Sequence, residues 1–292
     1  MKQICKIRNL KNFLFYDERS ERKKNMDLKR ISSGFIVALA LAIILLIQNN
    51  IITGILFMII TIVAMDEYLR AISKVCKPIK WLGYLSCIIV AIINFIPEQY
   101  LLSILMFSIP SIVLILFAQV IETDMKTTFK DMAYTLLGIC YIPIFMMFLS
   151  LIDGMNNGKM LLGYIFIASW GTDIFAYCIG YKFGKHKFSK VSPKKSIEGC
   201  IAGTIGSIIM MLIYTIILNN CFLFEYSYFM IGIIGLVLSL IGQLGDFSAS
   251  CIKRYIDIKD YSNLLPGHGG MLDRIDSVLF IAPFAYMLFM MI

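Results

Sequence analysis

From residue 31 onward, long apolar runs alternate with short polar breaks, the runs falling at 31–48, 51–69, 81–97, 101–120, 133–152, 161–181, 199–219, 228–252 and 277–292. A run of seventeen or so apolar residues is what a helix needs to cross a bilayer, and only the last is short for it. This pattern predicts an all-α, polytopic integral membrane protein with about nine transmembrane helices. No fixed-period repeat interrupts it, and no polar stretch is long enough to hold a soluble core.

Composition supports the pattern. Of 292 residues, 59% are hydrophobic and only 16% charged, against about 25% charged in soluble domains. Placing the N-terminus in the cytoplasm and alternating sides puts 26 of the 27 Lys and Arg residues on the cytoplasmic side, with Lys159 the exception. The positive-inside rule produces such a bias, and a wrong span count would scramble it. The net charge of +8 suits anionic headgroups and nucleotides. Nucleic acid is not expected, because the cations are divided among short loops. Residues 1–30 hold ten basic and four acidic side chains, and Ala38 to Ala42 lie in the middle of the first apolar run. A cleavage site belongs after such a run, so 31–48 reads as a retained span. Residues 1–27 read as a basic cytoplasmic tail and 28–292 as the membrane domain. The eight cysteines are scattered, which suggests neither a zinc site nor a disulfide frame.

Chemistry concentrates in two polar breaks. The stretch 243–277 carries five aspartates and a Pro-Gly-His-Gly-Gly turn. At helical spacing Asp246, Ser250 and Lys253 share one face, and Asp273 and Asp276 share another at the start of the next run. Carboxylates at two neighbouring helix ends, with Lys253, Arg254 and Arg274 between them, suit metal-bound phosphates. Gly267, Gly269 and Gly270 let backbone N–H groups approach an anion. The plainer reading is a solvated charged loop. In the second break Asp173 lies inside an apolar run, on one face with Trp170, Tyr177 and Gly180. It is a site candidate by default, or else a structural hydrogen bond between helices. Lys185, Lys187, Lys190, Lys194 and Lys195 then crowd a loop before Ser196, which is placed to cap the next helix, with Glu198 in its first turn. A helix N-terminus behind two lysines is a natural phosphate site; otherwise those lysines only set topology. No phosphate-binding P-loop or His-Glu-x-x-His pattern occurs, and neutral hydrogen bonding is the expected role of His186 and His268.

The order Ser250, Lys253-Arg254, Lys259-Asp260, Leu265-Pro266-Gly267-His268-Gly269-Gly270, Asp273-Arg274 and Asp276 resembles the signature of the phosphatidate cytidylyltransferase (CDP-diacylglycerol synthase) family. The Ser192-Pro193-Lys194-Lys195 stretch is similar to that family's second motif. The resemblance implies a membrane nucleotidyltransferase making CDP-diacylglycerol from CTP and phosphatidate at the cytoplasmic face of the cell membrane, with Mg²⁺ as cofactor and a homodimer allowed. On that basis Asp246 and Asp273 are the expected metal ligands, with Asp276 a third. Lys253, Arg254 and Arg274 meet phosphate oxygens. Asp173, Lys194, Lys195, Ser196, Ser250, Lys259, His268, Gly269 and Gly270 line the substrates. The match begins near Leu28, so residues 1–25 read as an added tail or an early start at Met1. One departure stands out: Ala249 occupies a position where the family usually has Glu. Two other readings remain: a CTP-dependent polyprenol or dolichol kinase or isoprenoid-ether cytidylyltransferase, and a transporter with Asp173 as its ion site.

Overall fold

The computed structural model describes residues 49–292 except 97, 190, 191, 193, 194 and 265–268. The expected tail and first span, and Lys194 and His268, lie outside the described residues. The rest is helical: α1 (Asn50–Ile72), α2 (Lys80–Ser86), α3 (Ile89–Ile92), α4 (Glu98–Glu122), α5 (Phe129–Gly154), α6 (Gly158–Phe183), α7 (Ile197–Phe222), α8 (Tyr228–Tyr255) and α9 (Leu272–Phe289). An isolated antiparallel bridge pairs Lys187 with Ser196.

Each apolar run within these residues forms helix, but five helices are long and apolar enough to cross a membrane: α1, α5, α6, α7 and α8. The run 81–97 divides into α2, α3 and a 3₁₀ turn, Ile93–Phe95, and α9 opens with Asp273, Arg274 and Asp276. The expectation of nine full spans is therefore met only in part. Both faces of these helices are apolar. On α1, Phe57, Ala64, Met65, Tyr68 and Ile72 are buried, while Ile51, Ile52, Ile55 and Ile59 are exposed. A helix that is hydrophobic all round belongs in a lipid surround.

Two helices contain a π turn, Cys140–Ile144 in α5 and Ile167–Gly171 in α6. Each adds a residue to the helical turn and re-aims the side chains beside it, here Tyr141 and Asp173. The C-terminal half of α6 packs against α7 through Gly199 and Gly203, where a Cβ would stand 2.8 Å from the Ala176 carbonyl oxygen and 2.7 Å from that of Thr172. Such a small-xxx-small face lets two membrane helices approach closely. At Gly245 a Cβ would lie 3.0 Å from the Asp276 carbonyl oxygen, so α8 and α9 converge as closely.

The ends of α1 mark the two ends of the bundle. Near its start, Thr53 donates a hydrogen bond to Asp153, and Lys159 Nζ lies 2.5 Å from Asp153 Oδ1 and 3.2 Å from Thr53 Oγ1. The ammonium, the one cation outside the charge bias, is thus buried and neutralised. Lys159→Met leaves a buried carboxylate without its cation, a loss of about 3–5 kcal/mol. The expected outcome is a clear fall in Tm in detergent, recovered in part by Asp153→Leu on the same background. An unchanged Tm for Lys159→Met would contradict it.

Candidate functional site

At the opposite end of the bundle, the chain leaving α6 turns back on itself before α7. Phe188 N donates to the Lys195 carbonyl at 3.0 Å and Ile197 N to that of His186 at 2.9 Å. His186 Nδ1 meets Glu198 at 2.6 Å. Ser196 Oγ accepts from Gly199 N at 3.1 Å and caps α7 as its position predicts. This hairpin turns Lys195 inward, where its ammonium pairs with Asp246 on α8 and lies 4.8 Å from the centre of the Phe247 ring. Burial on its own would lower the Lys195 pKa, but the Asp246 and Asp173 carboxylates raise it above the ordinary lysine value. A cavity of about 230 Å³ opens here, lined by Asp173, Ala176, Tyr177, Ser192, Lys195 and Ser196.

The second half of the site comes from α8 and α9. Lys253 Nζ lies 2.7 Å from Asp273 Oδ1. Asp273 Oδ2 accepts from Tyr261 N and Gly270 N, each at 2.9 Å. Gly269 takes φ +81°, with an added Cβ only 3.0 Å from Asp273 Oδ2. The carboxylate therefore organises its own loop. Asp276 is buried one turn further on; its Oδ1 accepts from Ser277 N at 2.8 Å. It lies in electrostatic range of Asp246, Lys253 and Asp173, and Asp173 in turn of Lys195, Asp246 and Arg274. Tyr141, Tyr261 and Arg274 each bury a polar atom, Oη, Oη and Nε, that has no protein partner among the described residues.

The structure thus brings together Asp173, Lys195, Ser196, Asp246, Lys253, Asp273, Asp276 and Arg274. Ser250 is half-buried, one turn beyond Asp246; Arg254, in the last turn of α8, and Lys259, in the loop that follows, are exposed. Ala249 is fully buried. Among the described residues no three His, Cys, Asp or Glu side chains form a group able to hold a metal ion by themselves. The donor set still fits a hard cation. Mg²⁺ is usually held by one or two carboxylates together with water and substrate phosphates, and the Asp246 and Asp276 carboxylates lie within electrostatic range of each other. Both oxygens of Asp273 are engaged, by Lys253 and by the loop, and Asp246 is likewise paired, with Lys195.

Two residues here escape the sequence patterns. Tyr141 is delivered by a π turn that only Pro143 hints at. Glu67, near the end of α1, accepts hydrogen bonds from Ser262 Oγ, Met271 N and Leu272 N. Its signal was present: a carboxylate inside an apolar run, as for Asp173.

Beside the charged cavity an apolar groove of about 600 Å³ runs between α7 and α8, lined by Phe188, Ile201, Ile205, Leu236, Leu240 and Phe247 among others. The Phe188 and Phe247 rings stack 4.5 Å apart at its charged end, under Lys195. Cys200 faces both cavities.

The profile of the Cytidylyltransferase family matches residues 28–292. The chain is 36% identical over 170 residues to a phosphatidate cytidylyltransferase of Staphylococcus saprophyticus, covering 58% of this chain and 63% of that protein. It is 37% identical over 180 residues to that of Bacillus subtilis, covering 60% and 65%. These two alignments span slightly under two thirds of the relatives' length. Against the phosphatidate cytidylyltransferase of Staphylococcus haemolyticus it is 30% identical over 253 residues, 85% of this chain and 94% of the other.

Proposed function

Because the chain belongs to the cytidylyltransferase family, we propose that it transfers the cytidylyl group of CTP to phosphatidate, giving CDP-diacylglycerol and pyrophosphate. One observation carries the reading: a cavity holding a half-buried cation among carboxylates, Lys195 with Asp173 and Asp246, opens beside an apolar groove at the end of a membrane bundle. That juxtaposition suits a substrate with an anionic head and a hydrocarbon tail.

In the reaction a phosphate oxygen of phosphatidate bonds to the α-phosphorus of CTP, the bond from that phosphorus to the bridging oxygen breaks, and pyrophosphate leaves. A phosphate monoester has its second pKa near 6, so it arrives mostly dianionic and needs no strong base. The obstacle is repulsion between a dianion and a triphosphate, so catalysis rests on positioning and charge neutralisation. Lys195, held cationic by its two carboxylate neighbours, binds phosphate oxygens at the mouth of the groove, with Lys194 adjacent in the chain. Ser196, Ser250, Gly269 and His268 stand beside the substrates, and Arg254, Lys259 and Arg274 meet the triphosphate. Lys253 and Asp273 hold the loop that carries them. Bound Mg²⁺, held by Asp246 and Asp273 with Asp276 as a third ligand, would neutralise phosphate charge. Asp246→Asn and Asp276→Asn should each lower kcat by about 100-fold with Tm retained, measured as pyrophosphate release from purified protein. Chelation of divalent cations should silence the wild type and added Mg²⁺ restore it; robust turnover in the chelated enzyme would remove the cation from the reading.

The groove is the seat for an acyl chain. From Leu236 to Phe247 it follows α8 for about 16 Å at ~1.5 Å per residue, about half of a ~30 Å hydrocarbon core. That is the depth of one leaflet. Leu240→Trp should raise KM for long-chain phosphatidate several-fold (~0.8 kcal/mol per displaced CH₂) while leaving KM for CTP and for a water-soluble short-chain phosphatidate unchanged. Equal effects on both lipids would place the chain elsewhere.

We also propose nine spans, the first within 31–48, in the cell membrane, with both motifs facing the cytoplasm and the chain free to form a homodimer. The burial of Lys159 against Asp153 removes the one exception to the charge bias. Asn156, at the same end, is exposed. In a cysteine-free background, Asn156→Cys should be modified from the outside and Lys187→Cys only after permeabilisation. Labelling of both from one side would overturn the topology.

A further inference from the structure

We propose that Glu67, on α1 and outside both motifs, is a positioning residue that clips Ser262 to the start of α9, from which Asp273 and Asp276 project. Its carboxylate is buried. Oε1 accepts from Ser262 Oγ at 2.5 Å and from Met271 N at 2.9 Å, and Oε2 accepts from Leu272 N at 2.8 Å. One side chain thus ties Ser262 to the start of α9.

The first amides of a helix have no partner within it, and Met271, at the N-cap position of α9, supplies no side-chain cap. Glu67 provides the cap from another helix, and a carboxylate there is further favoured by the positive end of the helix dipole. Gly270 makes room for it: a Cβ at that position would come within 2.5 Å of Glu67 Oε2 and 2.7 Å of Glu67 Cδ. The clip therefore requires a glycine here, and the backbone N–H of the same residue donates to Asp273.

The consequence for the site follows along the chain. Leu272, bonded to Glu67, is followed by Asp273, whose oxygens are fixed by Lys253, Tyr261 N and Gly270 N. Asp276 lies one turn later, facing Asp246 and Lys253. Releasing Glu67 frees the end of α9 to rotate or slide, and both carboxylates move with it. Misplacement by about 1 Å costs on the order of 100-fold in rate.

The activity part of this inference rests on the cytidylyl-transfer reading; the clip itself does not. Purified wild type, Glu67→Gln, Glu67→Leu and Ser262→Ala are compared by hydrogen–deuterium exchange of the 261–273 segment, by Tm and by kcat and KM. The expected order of amide protection at Met271 and Leu272 is wild type, then Glu67→Gln, which keeps one acceptor, then Glu67→Leu. Exchange should speed up about tenfold or more in Glu67→Leu, with kcat down about 10- to 100-fold and KM for CTP changed far less. A merely structural role would instead lower Tm and raise exchange throughout the chain. Unchanged exchange overturns the clip, and faster exchange with unchanged kcat overturns the positioning role. If Glu67→Leu does not fold, Glu67→Gln and Ser262→Ala, each of which weakens or removes part of the set, decide the same question. A wild type that forms no CDP-lipid sinks the cytidylyl-transfer reading while the exchange result still judges the clip.

Discussion

Charge inside an apolar bundle is the constraint on which this structure depends. An ionised group away from water is tolerated only when it is paired or fully hydrogen-bonded. Each buried charge here solves the problem differently. Asp153 takes a cation and a hydroxyl, Asp273 a cation and two amides, and Glu67 a hydroxyl and two amides. Around Lys195 the balance is unequal, since one ammonium faces both Asp246 and Asp173 with Asp276 close behind. Anionic substrates approaching such a place need additional positive charge, which is the physical argument for a divalent cation between protein and phosphate.

Much of this arrangement can be read in the sequence because it is local. Apolar runs give helices at their expected positions, Ser196 caps α7, and the i, i+3 pairing of Asp273 and Asp276 puts both on the site side of α9. The aspartate inside an apolar run, Asp173, does line the charged cavity. The glycine motif reads correctly as a place of close approach. For Gly270, however, what approaches is a carboxylate of the protein itself.

Long-range pairing is what the sequence hides. Nothing local announces that Asp273 is saturated by Lys253 and two amides, or that Lys195 pairs with Asp246 across two helices. The π turns are equally silent, since one extra residue per turn leaves hydropathy unchanged while rotating Tyr141 and Asp173 toward the site. Span counting is met only in part, for a different reason. The run 81–97 is as apolar as its neighbours but divides into α2, α3 and a 3₁₀ turn, and hydropathy does not register where a helix breaks.

The pair formed by Asp153 and Lys159 bears on how the chain enters its membrane. Both residues belong to a single hairpin, α5 and α6 with a short turn between, and they are the charged side chains at its tip. Once the hairpin closes, its tip carries no net charge, because the lysine is neutralised by a carboxylate of the same hairpin. Thr53 on α1, synthesised earlier, is already available to receive it. The order of biosynthesis therefore matches the order in which this buried group acquires its partners.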